Sequence, residues 1–490
     1  MLAAMHELRP AQAALWGALA AGFMLRAYAA LHDDGMVWPD EVYQTLEPAH
    51  HLLFDYGLLP WEFVRGARSW ALPGFVAGWL GLFELLGLDS PALYVRALKL
   101  VFAAISTLAG AGVYRLARAL GGRELDSALA AATYLLCPLA LYLGARVMGE
   151  NLAAALLVWG MAWLVEPGAR SSRRVLLGGS LLALAVFARL SSAIVCLVVV
   201  AESAWRSVRE RSQRPLFASL LLTFTSWALL YGALDALTWS ELPDARFGGF
   251  MHSAWLYVRF NALEAGGEQW GREPWSYYPV HLLRTMPGSC LLLGLALLAT
   301  TRRSAGVVAA VTVVAAYCLV HLALGHKELR FLAPILPVAC SLVAVGLQRI
   351  PTHFEHLAQG GVALTVLLTS LPTPWLTMGD LGNRVGHPDI PAWDFSGSVN
   401  RLLLSAHDQP DLCGLRVGTV HLAFSGGSSY LHRPVPIYRA GTPESSRHFN
   451  YAITRADKAG DVVARDGELA LVRLARSCVA DPDYSWRLGE

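Results

Sequence analysis

The feature that most constrains the fold is a series of long apolar runs that recur between Gln12 and Leu371. An α-helix needs roughly 20 residues to cross a bilayer, and most of these runs approach or reach that length. They are continuously rich in Leu, Ala, Val and Gly rather than alternating, which argues against membrane β-strands. Only 16% of the residues are charged, against about 25% in ordinary soluble domains. The sequence therefore predicts an all-α polytopic membrane protein with about 10–12 transmembrane helices.

Two of the apolar runs do not fit a single straight span. Residues 71–88 form a short run that contains Pro73 and Glu84, which favours an interfacial or re-entrant helix over a full span. Residues 176–201 carry FARLSS at their centre, so we expect two short helices that meet near Arg189. The helix count depends on both interpretations.

Short basic connections indicate the topology, because cytoplasmic loops carry an excess of Lys and Arg. With a cytoplasmic N-terminus, all the inside connections are basic: RLARALGGR, GARSSRR, RSVRERSQR, TTRR and LQRI. The polar loop at 32–91, the Trp-rich loop from Trp239 to Pro279, the HKELR segment and the C-terminal region then share the extracytoplasmic side.

The sequence changes character after residue 373, where turn residues separate short alternating runs such as LRVGTVHLAF and ELALVRLA. Such alternation is typical of strands. We therefore predict a transmembrane domain at 1–373, with interfacial helices in its loop at 32–91, and a small soluble extracytoplasmic α/β domain at 374–490. In an oxidising compartment Cys413 and Cys478 would pair, and two free thiols are the equal alternative.

Charged residues beside the apolar runs are the candidates for chemistry. Asp40 and Glu41 directly follow the first helix, where a carboxylate can take a proton from a substrate hydroxyl; a helix-capping Asp is the structural alternative. The cluster His326, Lys327, Glu328 and Arg330 suits phosphate binding, although basic residues also anchor span ends at a membrane surface.

Aromatic and intramembrane polar residues add further candidates. Trp and Tyr beside carboxylates suit sugar rings, but these residues also collect at bilayer interfaces without binding anything. Arg146 and Glu150 are four residues apart, a spacing at which they would pair on one helix face or line a polar wall. With 39 basic and 37 acidic residues, nothing in the overall charge indicates a nucleic-acid partner. We find no P-loop and no supported metal motif.

Two stretches resemble the family of polyprenyl- or dolichyl-phosphate-mannose-dependent mannosyltransferases known as glycosyltransferase family 22, whose members act in the GPI-anchor and lipid-linked N-glycan pathways. HKELRF, from His326 to Phe331, fits the family pattern HKExRF. WPDEVYQTLEPAHH with the later WE and RSW resembles its first extracytoplasmic loop. EPWSYYP is a looser match, in which Glu273 stands where the family has His.

The resemblance implies a GT-C glycosyltransferase fold and an inverting mannosyltransferase without cofactor or essential metal. Mannose would pass from a polyprenyl- or dolichyl-phosphate-mannose donor to a glycolipid or lipid-linked glycan acceptor. Asp40 would be the general base, with Glu41 orienting it or substituting for it. The donor phosphate would be bound by His326, Lys327, Arg330 and Arg68, and the sugars by Trp61, Glu62, Trp275 and Tyr278.

Other functions remain open at this point. A lipid or solute transporter or flippase also has many membrane helices with intramembrane charge, and a GT-C transferase with another polyprenyl-linked sugar, such as glucose or arabinose, would keep the same phosphate chemistry. High Ala, Leu, Arg and Gly usage suits a bacterial cytoplasmic membrane, whereas a eukaryotic relative would lie in the endoplasmic reticulum. On either location the active site is expected on the extracytoplasmic or lumenal side.

Overall fold

A computed structural model describes residues 10–166, 171–299, 304–383, 387–457 and 461–488. Helices form most of the first 370 residues. They are α1 (Pro10–His32), α2 (Glu47–Phe54), α3 (Trp61–Val64), α4 (Ala71–Leu85), α5 (Pro91–Ala119), α6 (Glu124–Leu135), α7 (Pro138–Gly144), α8 (Gly149–Val165), α9 (Ser172–Ala188) and α10 (Ala193–Arg209). There follow α11 (Arg214–Trp239), α12 (His252–Val258), α13 (Tyr277–Thr285), α14 (Pro287–Ala299), α15 (Ala305–Ala323), α16 (Leu336–Leu347), α17 (Glu355–Ser370), α18 (Gly397–His407) and α19 (Gly427–Leu431).

Long apolar helices account for part of the predicted set of spans. Within the described residues, 6 helices are long and apolar enough to cross a membrane, or up to 8 if each bent pair counts as one span. Other apolar runs form shorter helices, such as α8 with 17 residues, so the number of 10–12 spans stays a prediction. With 15 residues, α4 is too short for a hydrocarbon core of about 30 Å, as expected for an interfacial or re-entrant helix at 71–88.

The break predicted near Arg189 is confirmed. Helix α9 ends at Ala188, Arg189 has an extended backbone, and α10 begins at Ala193. A second break separates α6 from α7, where the axis bends by 61° beside Pro138. Arg26, which is fully buried on α1, donates to the carbonyl oxygens of Leu135 (2.8 Å) and Ala140 (3.2 Å) at this break. The guanidinium thus satisfies carbonyl groups that a continuous helix would have paired.

Basic connections meet at one end of the helical region. Arg123 donates to the carbonyl oxygen of Leu347, and Arg206 donates to that of Ala305. Ala305 begins α15, a helix of 19 residues and therefore roughly 28 Å long, and the HKELR segment follows its other end. The predicted inside connections and the predicted site therefore lie at opposite ends of α15. Residues 168–170 and 300–303 of those connections lie outside the described residues.

The C-terminal region contains helices α18 and α19 and a sheet of five strands: β2 (Leu415–Val417), β3 (Ile437–Tyr438), β4 (Tyr451–Arg455), β5 (Asp461–Asp466) and β6 (Leu469–Arg473). The strand order is β3–β2–β4–β6–β5, with β2 parallel to β3 and β4, and β6 antiparallel to β4 and β5. Leu415 lies opposite Tyr451, which in turn lies opposite Arg473. Cys413 and Cys478 form a disulfide bond.

The C-terminal strands pack on the polar loop at 32–91 rather than standing apart from it. One buried hydrophobic cluster combines Leu46, Val76 and Leu98 of the helical region with Leu415 and Ile453 of the sheet. In addition, β1 (Leu59–Pro60) pairs in parallel with β7 (Arg487–Leu488). Burial of shared apolar surface therefore holds the C-terminal region against the loop that carries Asp40.

Candidate active site

A cavity of about 690 Å³ lies where the first loop, the HKELR segment and the C-terminal region meet. That volume is within the usual range of small-molecule and cofactor sites, about 300–1,000 Å³. The walls carry carboxylates, cations and aromatic rings from distant parts of the chain. Of the residues predicted for the site, the lining includes Asp40, Trp61, Glu62, Arg68, His326, Lys327 and Arg330.

Asp40 joins the first loop to the HKELR segment. Its Oδ2 lies 2.5 Å from Nη2 of Arg330, and 23% of its side chain is exposed. Asp40 lies at the start of a helical segment, but within the described residues its carboxylate accepts no backbone N–H and contacts Arg330 instead. The capping alternative for Asp40 is therefore not supported. The carboxylate instead lines the cavity and forms an ion pair with Arg330.

Arg330 is the centre of a buried charge network. Besides Asp40 it contacts the carboxylates of Glu150, at 2.9 Å, and Glu328. Glu150 also pairs with Arg189 at 2.9 Å. Three carboxylates around one guanidinium compensate the cost of burying these charges. The arrangement positions Asp40 but leaves Arg330 with its donors already engaged.

Glu41 does not share the position of its neighbour. Its side chain is buried and pairs with Arg146 at 2.9 Å, and it is not part of the cavity lining. Arg146 also pairs with Asp33 at 2.7 Å rather than with Glu150. Glu41 is therefore not placed to substitute for Asp40, which corrects that prediction. Of the two alternatives for Arg146 and Glu150, the direct pair does not form.

The segment from His326 to Glu328 lies at the cavity with its own hydrogen bonds. His326 contacts Glu328 through Nε2 and the carbonyl oxygen of Gly271 through Nδ1, each at 3.0 Å. Burial alone would lower the pKa of His326, but the hydrogen bond to Glu328, the charge of Glu328 and the Gly271 carbonyl together raise that pKa. Burial alone would raise the pKa of Glu328, but Arg330 and His326 lower it to about 2. The contact between the two side chains therefore favours the charged form of each.

Lys327 reaches the cavity, but its ammonium hydrogens have acceptors. It donates to the carbonyl oxygens of Glu273 (3.0 Å) and of Leu324 and Gly325. Burial lowers the pKa of Lys327. Its charge still contributes to the potential inside the cavity, although a direct bond to a phosphate would require an exchange of partners.

Arg68 differs from Lys327 because its side-chain donors are not engaged in the same way. Within the described parts of the chain it makes no ion pair, and its guanidinium lies 5.4 Å from the centroid of the Tyr257 ring. Among the predicted phosphate ligands it is therefore the one whose donors are most available. Its neighbour on the cavity wall, Glu62, accepts from Gln44 at 3.1 Å, and burial raises the pKa of Glu62.

Two predicted sugar contacts lie elsewhere. Trp275 is 74% exposed and Tyr278 is buried in the hydrophobic core, and neither is part of the cavity lining. The aromatic wall is instead built on Trp61, whose ring lies 5.0 Å from that of Phe260 and 6.1 Å from that of Trp270, centroid to centroid. Trp61 is thus the predicted aromatic residue that the structure brings to the site.

Sequence reasoning did not predict the contribution of the C-terminal region to the cavity. His421, Leu422, Ala423, Phe424, Arg439 and Leu488 all belong to the lining. No local pattern marks these residues, because their placement depends on long-range packing. In the part of the chain that the structure describes, no group of three or more His, Cys, Asp or Glu side chains is placed to hold a metal ion.

Solved structures with the same fold define the class. A crystal structure of ArnT from Cupriavidus metallidurans bound to undecaprenyl phosphate superposes with a TM-score of 0.60 and 13% identity, covering 94% of this chain and 98% of that one. The oligosaccharyltransferase of Archaeoglobus fulgidus gives a TM-score of 0.56 and 12% identity, covering 92% and 70%. The fold is that of the GT-C membrane glycosyltransferases.

The family follows from the sequence itself. Residues 18–382 match the model of the Alg9-like mannosyltransferase family, and the chain belongs to that family. GPI alpha-1,2-mannosyltransferase 3 of Xenopus laevis is 27% identical over 352 residues, which cover 68% of this chain and 60% of that protein. Mannosyltransferase APTG1 of Arabidopsis thaliana is 28% identical over 316 residues, which cover 61% and 53%. The chain thus spans between half and two thirds of these relatives' lengths.

Proposed function

We propose that the protein is an inverting membrane mannosyltransferase that moves mannose from a polyprenyl-phosphate-mannose donor to a glycolipid or lipid-linked glycan. One observation carries the proposal: Asp40 of the first loop and the HKELR segment meet at one cavity, with Asp40 bonded to Arg330 at 2.5 Å. A base and a group of cations are the parts that displacement of a lipid phosphate by a hydroxyl needs.

In this mechanism Asp40 takes the proton of the acceptor hydroxyl as the hydroxyl oxygen forms a bond to the anomeric carbon. The bond from that carbon to the phosphate oxygen breaks on the opposite face, and the electron pair leaves with the phosphate. Arg330 holds Asp40 in place, and the oxygen of Asp40 that does not face Arg330 is available for the proton. Displacement from the opposite face inverts the anomeric configuration.

Arg68 is the main ligand that we propose for the leaving phosphate, because within the described residues it is not held by a carboxylate. A guanidinium binds two phosphate oxygens as a fork. His326 and Lys327 add positive charge to the same cavity, where low solvent exposure strengthens electrostatic stabilisation. No metal or cofactor takes part in this proposal.

The relatives support the substrate classes. Several are named GPI alpha-1,2-mannosyltransferase 3, which supports a mannose donor and a glycolipid acceptor. The ArnT structure contains undecaprenyl phosphate, and an Archaeoglobus fulgidus oligosaccharyltransferase structure contains a dolichol-phosphate. These two structures support a lipid phosphate as the class of donor for this cavity.

We also propose that the cavity faces the extracytoplasmic or lumenal side. The basic connections meet at the far end of α15, and basic connections face the cytoplasm. The bond between Cys413 and Cys478 is consistent with an oxidising compartment. Both observations favour the same orientation.

Transfer by the purified protein in nanodiscs tests the proposal. Radiolabelled polyprenyl-phosphate-mannose is offered with membrane glycolipid, beside the glucose- and arabinose-linked donors. We expect label to enter glycolipid only from the mannose-linked donor. Arg68→Ala should raise the KM for this donor, whereas Arg65→Ala, at an exposed position, should not. Transfer of another sugar would revise the donor, and no transfer from any donor would favour a transporter or flippase, which a lipid translocation assay would then test.

A further inference from the structure

Asp235 is a buried carboxylate that the proposed mechanism does not use. It lies in the last turns of α11, which belongs to one of the long apolar spans, and its side chain is buried. A carboxylate inside an apolar span is costly unless polar groups surround it, and such residues commonly mark a functional site. The contacts of Asp235 therefore indicate what this carboxylate does.

Asp235 anchors the start of α12. Its carboxylate accepts the backbone N–H of Ser253 at 2.8 Å and the hydroxyl of the same residue at 2.8 Å. Ser253 is the second residue of α12, where a backbone N–H has no partner within the helix, and Met251 supplies no side-chain cap. Because the Ser253 hydroxyl donates to Asp235, the hydroxyl of Tyr231 donates to Ser253, at 2.9 Å. Two side chains of α11 thus fix the first turn of α12.

This first turn of α12 holds the segment that leads to Arg68. His252 donates through Nε2 to the carbonyl oxygen of Arg65 at 3.1 Å. Gly66 has a φ of +72°, and a Cβ atom at this position would lie 2.7 Å from the ring of His252. A residue without a Cβ permits both the backbone conformation and the close approach. The backbone just before Arg68 therefore rests on α12.

The same helix supplies the ring against which the Arg68 side chain lies. Ser253 and Tyr257 are four residues apart on α12 and share a face, and both line a small cavity of about 50 Å³ together with Arg68 and Asp40. The guanidinium of Arg68 lies over the ring of Tyr257, 5.4 Å from its centroid, which is within cation–π range. A guanidinium held by its face keeps its N–H donors, which lie in its plane, directed at other ligands.

We propose that Asp235 is a positioning residue for Arg68: by anchoring α12, it fixes both the turn before Arg68 and the ring of Tyr257. The inference rests on the proposed role of Arg68 as the main ligand of the donor phosphate, and it adds the group that sets the position of this ligand. Among the described residues, Asp235 lines neither the large nor the small cavity. It acts through α12 and not by contact with the substrate.

A double-mutant cycle on the binding of undecaprenyl phosphate tests the proposal. Affinities are measured by microscale thermophoresis in phosphatidylcholine nanodiscs for wild type, Asp235→Val, Arg68→Ala and the double variant. Asp235→Val keeps the branched shape of the side chain but leaves the N–H of Ser253 without its acceptor. We expect each single variant to bind about 10-fold more weakly, as the loss of one charge-assisted hydrogen bond would give. The double variant should bind as weakly as Arg68→Ala alone, because the two residues act as a unit.

Matched variants separate positioning from a general loss of structure. Asp235→Asn keeps an oxygen that accepts the N–H of Ser253, so its affinity should be close to that of wild type. Asp244→Ala, at an exposed position, should also bind as wild type does. Thermal unfolding checks that all variants fold. If Asp235→Val does not fold, Ser253→Ala replaces it in the cycle, and the loss of its hydroxyl contacts should weaken binding about 5-fold, again only when Arg68 is present.

Several results would overturn the positioning role. Losses that add to about 100-fold in the double variant would mean that Asp235 acts independently of Arg68. An unchanged affinity in folded Asp235→Val, or a loss as large in Asp235→Asn, would contradict the anchoring of α12. A wild type that does not bind undecaprenyl phosphate would reject the role of Arg68 and this inference with it. The transfer assay reports on the proposed function separately, since a coupled cycle in a protein that transfers no mannose would keep the positioning role and reject the function.

Discussion

Glu47 provides a prediction whose sign depends on pH. This carboxylate is fully buried and bridges the first loop to the C-terminal region. It accepts from the hydroxyl of Ser429 at 2.8 Å, from the backbone N–H of Ser429, and from the N–H of Leu58 at 2.7 Å. Burial raises the pKa of Glu47 to about 7, although the hydrogen bonds from Ser429 and Leu58 act in the opposite direction.

The substitution Glu47→Gln gives two opposing effects. The amide nitrogen of Gln replaces one carboxylate oxygen, so a backbone N–H that donated to this oxygen loses its acceptor. An unsatisfied buried donor costs about 1–3 kcal/mol. The wild-type carboxyl has a pKa of about 7 instead of 4.5, so its folded form binds a proton that the unfolded chain releases. Stability is therefore lost as the pH rises from about 4.5 through about 7, by about 3 kcal/mol for a pKa difference of about 2.5. A Gln side chain does not titrate, so the variant does not lose this stability as the pH rises.

Thermal unfolding of both proteins at pH 5 and pH 8 measures the difference. We expect Glu47→Gln to unfold at a lower temperature than wild type at pH 5, and the gap to disappear or reverse at pH 8. Subtracting the two unfolding temperatures at each pH cancels the pH dependence that other titratable groups contribute to both proteins. Exposed Glu241 supplies the control, because Glu241→Gln should follow wild type at both values. A gap that grows with pH would refute the argument that burial dominates at Glu47.

Two further substitutions test the packing of the site. Arg330→Ala leaves Asp40 and two other carboxylates without their shared cation, so we expect a loss of about 3–5 kcal/mol in unfolding experiments; unchanged stability would mean that the network is not needed for folding. Cys413→Ser removes the bond to Cys478, which closes a loop with a sequence separation of 65. We expect a loss of about 2–4 kcal/mol that a reducing agent reproduces in wild type, and a reductant without effect would contradict the pairing.

The sequence predicted the helical class but not where each helix ends. Apolar runs predict where helices lie because burial in lipid depends on local composition, and α1 and α5 follow from that. Hydropathy does not determine where a helix stops. The run from 127 to 143 appears continuous but bends at Pro138, and α4 and α8 are shorter than a typical span.

Side-chain direction explains the mixed outcome at the site. Asp40 and Glu41 are adjacent, but successive residues on a helical turn differ in direction by roughly 100°, so one faces the cavity and the other faces Arg146. The spacing of Arg146 and Glu150 suggested a helical pair, but α8 begins only at Gly149. The rule for residues four apart does not apply outside a helix.

Long-range packing explains what the sequence could not predict. His421 and Arg439 reach the cavity only because the C-terminal region packs on the first loop. Their sequence neighbours give no sign of this, since the contacts join residues hundreds of positions apart. By contrast, Lys327 and Arg330 lie in a short charged segment between two apolar runs, so they can be identified from the sequence alone.

The most direct test of the account is the transfer rate of Asp40→Asn, measured with radiolabelled polyprenyl-phosphate-mannose and glycolipid under conditions in which wild type is active. Exposed Asp244, which lies outside the cavity lining, supplies the control variant Asp244→Asn, and thermal unfolding checks that both variants fold. We expect a rate at least about 100-fold lower in Asp40→Asn, the usual contribution of a general base, and a normal rate in Asp244→Asn. A folded Asp40→Asn protein with near wild-type transfer would contradict the assignment of Asp40 as the base.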